Sequence, residues 1–264
     1  SLMVLAFVGA GIMSMENAIG VIMGANVGTT ATAWIVAFLG FKLNIESFAL
    51  PLIALGGILM ILFGTAARIF HVSRLLMGFG FLFLGLDYMK GSVEILSEGF
   101  DLGTIPDFGL WFYVIVGMLF TALMQSSSAS IALVLTALNG GLLTFAIGAA
   151  MVIGANIGTT FTVLLGAVGG IPSKKRVALS HLIFNVVTAV VAFLGIRGLI
   201  ALVEVFFDVQ ANSVMALALF HTLFNALGVL LFLPFIGLLA RSLVRFYPDR
   251  KAVLTVYIDK TPTE

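Results

Sequence analysis

Gln125, Ser126, Ser127, Ser128 and Ser130 stand inside an apolar run that extends from Trp111 to Leu138. Hydrocarbon penalises so dense a set of hydroxyls unless they face a cavity or one another. A desolvated oxyanion needs several convergent donors, and an alkali cation needs several oxygen acceptors; a hydroxyl supplies both. Exposed backbone N–H groups at the start of a half-helix would add further donors and the positive end of a helix dipole. An isolated serine in a membrane helix usually bonds back to its own turn or glues a neighbouring helix. Three in a row after a glutamine point instead to a binding site.

A second polar motif occurs twice. Laid on itself at an offset of 130 residues, the chain places GANVGTTAT (Gly24 to Thr32) on GANIGTTFT (Gly154 to Thr162), with seven of nine positions identical. The same offset pairs Gly11 with Gly141, Ser14 with Thr144 and Val4 with Val134, so a whole structural unit is duplicated. Such a flexible, glycine-flanked stretch is expected to supply carbonyl oxygens, the amides of Asn26 and Asn156, and the hydroxyls of Thr29, Thr30, Thr159 and Thr160. The partners of Gln125 to Ser130 would fall before Ser1, so a second Gln/Ser-rich segment is expected just upstream.

The elements that position these residues must be membrane helices. The 264 residues are 61% hydrophobic and 9% charged, with a mean hydropathy of +1.20; soluble domains carry roughly a quarter charged residues. Apolar spans are expected at 48–65, 75–89, 177–196 and 213–240. Basic residues cluster at Arg68, His71 and Arg74, at Lys174 to Arg176, and at Arg241, Arg245, Arg250 and Lys251, which the positive-inside rule assigns to the cytoplasm. Segments 40–47, 90–108 and 197–212 then lie outside. Between Phe108 and Lys174 the chain must cross an odd number of times, although hydropathy offers two spans, 109–138 and 142–171. Each is interrupted by a polar motif near its middle, so one is expected to fold back. Copy one leads to the outer side and copy two to the inner side, which makes the copies inverted, the recurrent plan of secondary transporters. The expected fold is an all-α polytopic membrane protein with two inverted repeats containing broken or re-entrant helices. Its parts are a first half over 1–89, an outer loop over 90–108, a second half over 109–240 and a polar cytoplasmic tail over 241–264.

QSSSAS at 125–130 with GANIGTT at 154–160, and GANVGTT at 24–30, resemble the sodium/phosphate cotransporter family, the type II carriers and their bacterial relatives. The resemblance implies sodium-coupled movement of inorganic phosphate across a plasma membrane, such as a bacterial inner membrane. It assigns Gln125, Ser126, Ser127, Ser128, Thr159, Thr160, Thr29 and Thr30 to the substrate. It assigns Asn26, Asn156, Gln125, Ser127, Thr30 and Thr160 to the coupling cation. The implied partners are phosphate, sodium and the lipid bilayer, with a homo-oligomer left open and no cofactor beyond the sodium ion. Many bacterial members continue into a helical PhoU-like domain, and the tail from Arg241 to Glu264 looks like the start of that linker.

A net charge of +1, with basic residues in short clusters beside apolar spans, implies no nucleic-acid partner. His181 and Asn185, and forty residues later His221 and Asn225, repeat at i and i+4 in the last two spans. Helix packing is the expected role of both pairs, ahead of proton relay or ion contact. Three other classes compete: an intramembrane enzyme with a serine nucleophile and a histidine base, a passive anion channel, and a structural scaffold. The enzyme leaves the duplication and the GANxGTT motif without a role.

Overall fold

The computed structural model describes residues 2–42, 45–99 and 108–249. Among these the regular structure is helical throughout. The helices are α1 (Leu2–Gly9), α2 (Met15–Ile35, continued by a π-helical stretch Val36–Lys42), α3 (Ala49–Phe63) and α4 (Ala67–Gly99). They continue with α5 (Leu110–Met124), α6 (Ser127–Asn139), α7 (Phe145–Gly158), α8 (Thr160–Ala167) and α9 (Pro172–Leu194). The last are α10 (Ile196–Glu204), α11 (Ser213–Phe232) and α12 (Ile236–Phe246).

Among the described residues five helical stretches are long and apolar enough to cross a membrane: Met15–Phe41, Ala67–Leu96, Phe145–Ala167, Pro172–Leu194 and Ser213–Phe246. Large apolar side chains face outward on these and on the shorter apolar helices, with Ile61 on α3, Leu123 on α5 and Leu194 on α9 each more than 80% exposed. A surface of that kind is suited to lipid rather than water. The chain is a multi-pass membrane protein.

The duplication appears in the backbone as one corner built twice. After α1 the chain turns at Gly11 (φ +72°), and Ser14 caps α2 by accepting from the N–H of Asn17 at 3.2 Å. After α6 it turns at Gly141 (φ +75°), and Thr144 caps α7 by accepting from the N–H of Ile147 at 3.4 Å. Both turns need a residue free to adopt positive φ, and both caps need a short side-chain oxygen.

Three expectations from sequence are corrected. GANxGTT does not break its helix: Gly24 to Thr32 lies wholly within α2, and in the second copy Thr159 joins α7 to α8 in right-handed helical conformation (φ −61°, ψ −24°). Glycine is costly in a helix exposed to water, but in a packed membrane helix it admits a neighbouring backbone. Here it does so on α7, where Cβ atoms added at Gly154 and Gly158 would strike α5 at the carbonyl oxygens of Val114 and Met118. Secondly, 90–99 is not loop, because α4 runs on through Lys90 to Gly99; residues 100–107 lie outside the described residues. The outer segment 40–47 likewise opens in the π-helical end of α2, and residues 43–44 are not described. Thirdly, the span expected at 48–65 is a helix of 15 residues, about 22 Å at 1.5 Å per residue, against about 30 Å of hydrocarbon. It pairs with α4, where Cβ atoms at Gly56 and Gly80 would lie within 3 Å of Ser73 O and Ala49 O.

The interruption expected at Gln125 to Ser128 is present. α5 and α6 are 15 and 13 residues long, each too short to cross alone, and they meet at a left-handed Gln125 (φ +53°, ψ +23°). Among the described residues Gln125 is the one non-glycine with positive φ. Such conformations in bulky side chains cost on the order of 1 kcal/mol and persist where the surroundings require them.

Candidate functional site

The α5–α6 corner is the centre of the candidate site. Ser126 is extended and caps α6 by accepting from the N–H of Ala129 at 3.3 Å, which leaves its hydroxyl hydrogen for another acceptor. Ser127 and Ser128 follow in the first helical turn, where backbone N–H groups have no intrahelical partner. The positive end of the α6 dipole and the negative, carbonyl-bearing end of α5 therefore meet at one corner, and an anion and a cation each find a favourable pole there. Gln125, Ser126, Ser127 and Ser128 line a cavity of about 380 Å³ together with Thr159, Thr162, Val163, Leu2 and Met3. Among the described residues no lysine or arginine lines it.

The GANxGTT hydroxyls behave alike in both copies. Thr29 donates to the carbonyl of Asn26 and Thr30 to that of Val27, each at 2.7 Å. Thr159 donates to Asn156 O at 2.6 Å and Thr160 to Ile157 O at 2.7 Å. A hydroxyl that has given its hydrogen to its own turn offers only lone pairs outward. In this arrangement the four threonines suit a cation, whereas the serine corner keeps donors for an anion. Thr159 faces the cavity; Thr30 and Thr160 are buried, and Thr29 is half-buried away from it.

The two copies meet on α9. Asn185, fully buried, accepts on Oδ1 from Asn26 Nδ2 at 2.6 Å and from Asn156 Nδ2 at 3.4 Å. Its own Nδ2 donates to Asn156 O at 2.8 Å and to Thr159 Oγ1 at 3.3 Å, and lies 3.1 Å from His181 Nε2. A second link is made by Ser128 Oγ, which donates to Thr32 Oγ1 at 3.4 Å. The structure thus brings the serine corner, Thr159, Asn156 and Asn26 into one polar region.

Asn185, Thr32 and Thr162 are the residues that sequence reasoning missed as site members. Thr32 and Thr162 are the ninth, identical positions of the duplicated stretch, so the repeat already marked them. Asn185 was expected to pack helices, and it does so, but between the two motifs. The partnership of His181 with Asn185 agrees with that expectation. The other pair differs, since Asn225 Nδ2 donates to the backbone oxygen of His221 at 2.9 Å. Among the described residues neither buried histidine hydrogen-bonds a serine of the corner.

Comparison with known proteins shows the family. Residues 1–91 and 110–232 match the Na+/Pi-cotransporter family. The chain belongs to that family of transporters. It is 29% identical over 250 residues to "Uncharacterized protein YqeW" of Bacillus subtilis (strain 168), covering 94% of this chain and 78% of the relative. It is 25% identical over 252 residues to "Putative inorganic phosphate export protein YjbB" of Salmonella typhimurium (strain LT2), and 24% identical over 255 residues to the Escherichia coli (strain K12) protein of the same name. In both cases the match covers 94% of this chain and 45% of the relative, so the chain spans less than half the length of the YjbB proteins. No solved structure matches the chain.

Proposed function

We propose that the chain is the transport unit of a sodium-coupled inorganic phosphate carrier, with phosphate at the serine corner and sodium between that corner and the GANxGTT threonines. The observation that carries the proposal is the cavity itself. It pairs the N-terminal turn of α6 and three serines with the outward lone pairs of Thr159, and among the described residues no lysine or arginine lines it. Phosphate charge is then offset by co-bound sodium and helix poles rather than by lysine or arginine, so the anion binds well only when sodium is present. Coupling follows from shared electrostatics.

The two copies act as inverted half-sites, with α5 and α6 forming a re-entrant hairpin that does not cross the bilayer. Rocking of one half against the other exposes the site to each side in turn. The repeated corners at Ser14 and Thr144 support this arrangement. So does the face of α2 that bears Gly24 and Gly28: a Cβ at either meets nothing within 4 Å, which leaves it open to a second helix like α5. The site has no intrinsic direction. Ion and phosphate gradients set it, and export, as in the name of the YjbB relatives, uses the same cavity.

Uptake of radiolabelled phosphate into proteoliposomes containing the full-length protein tests the coupling. Replacing external sodium with potassium is expected to lower the initial rate by at least about tenfold, the loss of one favourable charge contact. Equal rates in the two salts would contradict sodium coupling. Conductance without trans-stimulation by internal phosphate would favour a channel.

A further inference from the structure

The Asn185 carboxamide carries more bonds than its hydrogens allow. Both lone pairs of Oδ1 are taken, by Asn26 of the first copy and Asn156 of the second. Its two amide hydrogens face three acceptors: Asn156 O, Thr159 Oγ1 and His181 Nε2. Two of these, Asn156 O and Thr159 Oγ1, are oxygens on the motif beside the cavity, and Thr159 lines it. The third, on α9 one turn away, lies outside the motif. A cation drawing on Thr159 Oγ1 would repel the amide hydrogen pointing at it, and that hydrogen has a second acceptor within reach.

We propose that Asn185 is a positioning residue for the coupling cation. Its oxygen holds the asparagines of the two repeats in one register, while its N–H is within reach of both Thr159 and His181 and turns to His181 when a cation draws on Thr159. This rests on the sodium-coupled reading above. The ion then exchanges one N–H partner rather than opening an unpaired oxygen in a buried region. Because one carboxamide oxygen serves both copies, cation occupancy on α7 is felt at Asn26 on α2. That gives the two half-sites a physical route for cooperation.

The test is the sodium dependence of phosphate uptake by the full-length protein in proteoliposomes, for the unaltered chain, Asn185→Asp and Asn185→Leu. Asn185→Leu removes the shared acceptor and is expected to raise the half-saturating sodium concentration about tenfold. The half-saturating sodium concentration is the readout, whatever the accompanying change in maximal rate. Asn185→Asp keeps an oxygen that accepts from Asn26 and Asn156 but has no N–H to give Thr159, so its sodium half-saturation is expected to shift less than that of Asn185→Leu. A residue that merely packed helices would instead lower the maximal rate or the yield and leave the sodium half-saturation unmoved. An unmoved half-saturation in Asn185→Leu, or an equal shift in both variants, overturns the inference while leaving sodium coupling intact. Sodium-independent uptake by the unaltered protein overturns the underlying reading as well. If Asn185→Leu folds too poorly for flux, the sodium-induced rise in Tm of detergent-solubilised Asn185→Asp decides. A rise matching that of the unaltered chain supports the inference, and its loss overturns it.

Discussion

Gly154→Ala, a change of one methyl group, is expected to destabilise the protein by about 3 kcal/mol, at the upper end of what overpacking costs in a close-packed interior. The added carbon would overlap the carbonyl oxygen of Val114, with Met118 N next in line, so the whole of α5 must move away from α7. Backbone cannot rotate aside as a side chain can. The same replacement at Gly85, where nothing lies within 4 Å of an added Cβ, is expected to be neutral or to stabilise α4 by up to about 1 kcal/mol through helix propensity. Thermal unfolding of the two variants in detergent checks the contrast, and a similar Tm for both would contradict the α5–α7 packing described above. The stake is functional as well as structural. α5 carries Gln125 at its end, and a shift of α5 would displace the serine corner from Thr159.

The second large effect is expected on transport with little on folding. Ser127→Ala combined with Ser128→Ala removes two hydroxyls from the cavity wall and leaves Ser126, whose side chain caps α6. Hydrogen bonds to a charged group contribute about 1.5–3 kcal/mol each, so the pair should lower kcat/KM for phosphate by at least about 100-fold. The Tm should change little, because among the described residues the one side-chain partner of these two hydroxyls is Thr32, at 3.4 Å from Ser128. Ser126→Ala is a poorer probe, since losing the cap costs about 1 kcal/mol of helix stability by itself. Flux and Tm measured on the same preparations separate the two effects. Near-normal flux in the double variant would place the phosphate elsewhere.

Much of the architecture was legible because lipid leaves the chain few choices. Backbone polar groups must be satisfied within each segment, so long apolar runs become helices, and α9 and α11 appear where hydropathy places them. The corner at Gln125 was legible for a related reason, since serines after a glutamine within an apolar run have no stable place except a helix start or a cavity. The helical state of GANxGTT was not. Glycine marks a weak point in a helix only when nothing packs against it, and whether α5 seats on Gly154 depends on residues 40 positions away in the chain. The extension of α4 to Gly99 escaped because Lys90, Glu94 and Glu98 resemble an outer loop by charge. Yet charged residues spaced four apart are compatible with one helical face. Asn185 escaped as a site residue because its oxygen joins residues 159 and 29 positions away, a relation that no local period records.

The central claim is that the serine corner holds the oxyanion. The most direct measurement is a structure of the full-length protein determined with sodium and with arsenate in place of phosphate, the arsenic located by its anomalous scattering. The account predicts an arsenic peak within the cavity lined by Gln125 to Ser128 and Thr159, within hydrogen-bond distance of the first turn of α6. A peak elsewhere, such as the polar pocket beside Lys90, Thr136 and Asn139, with that cavity empty, would contradict it.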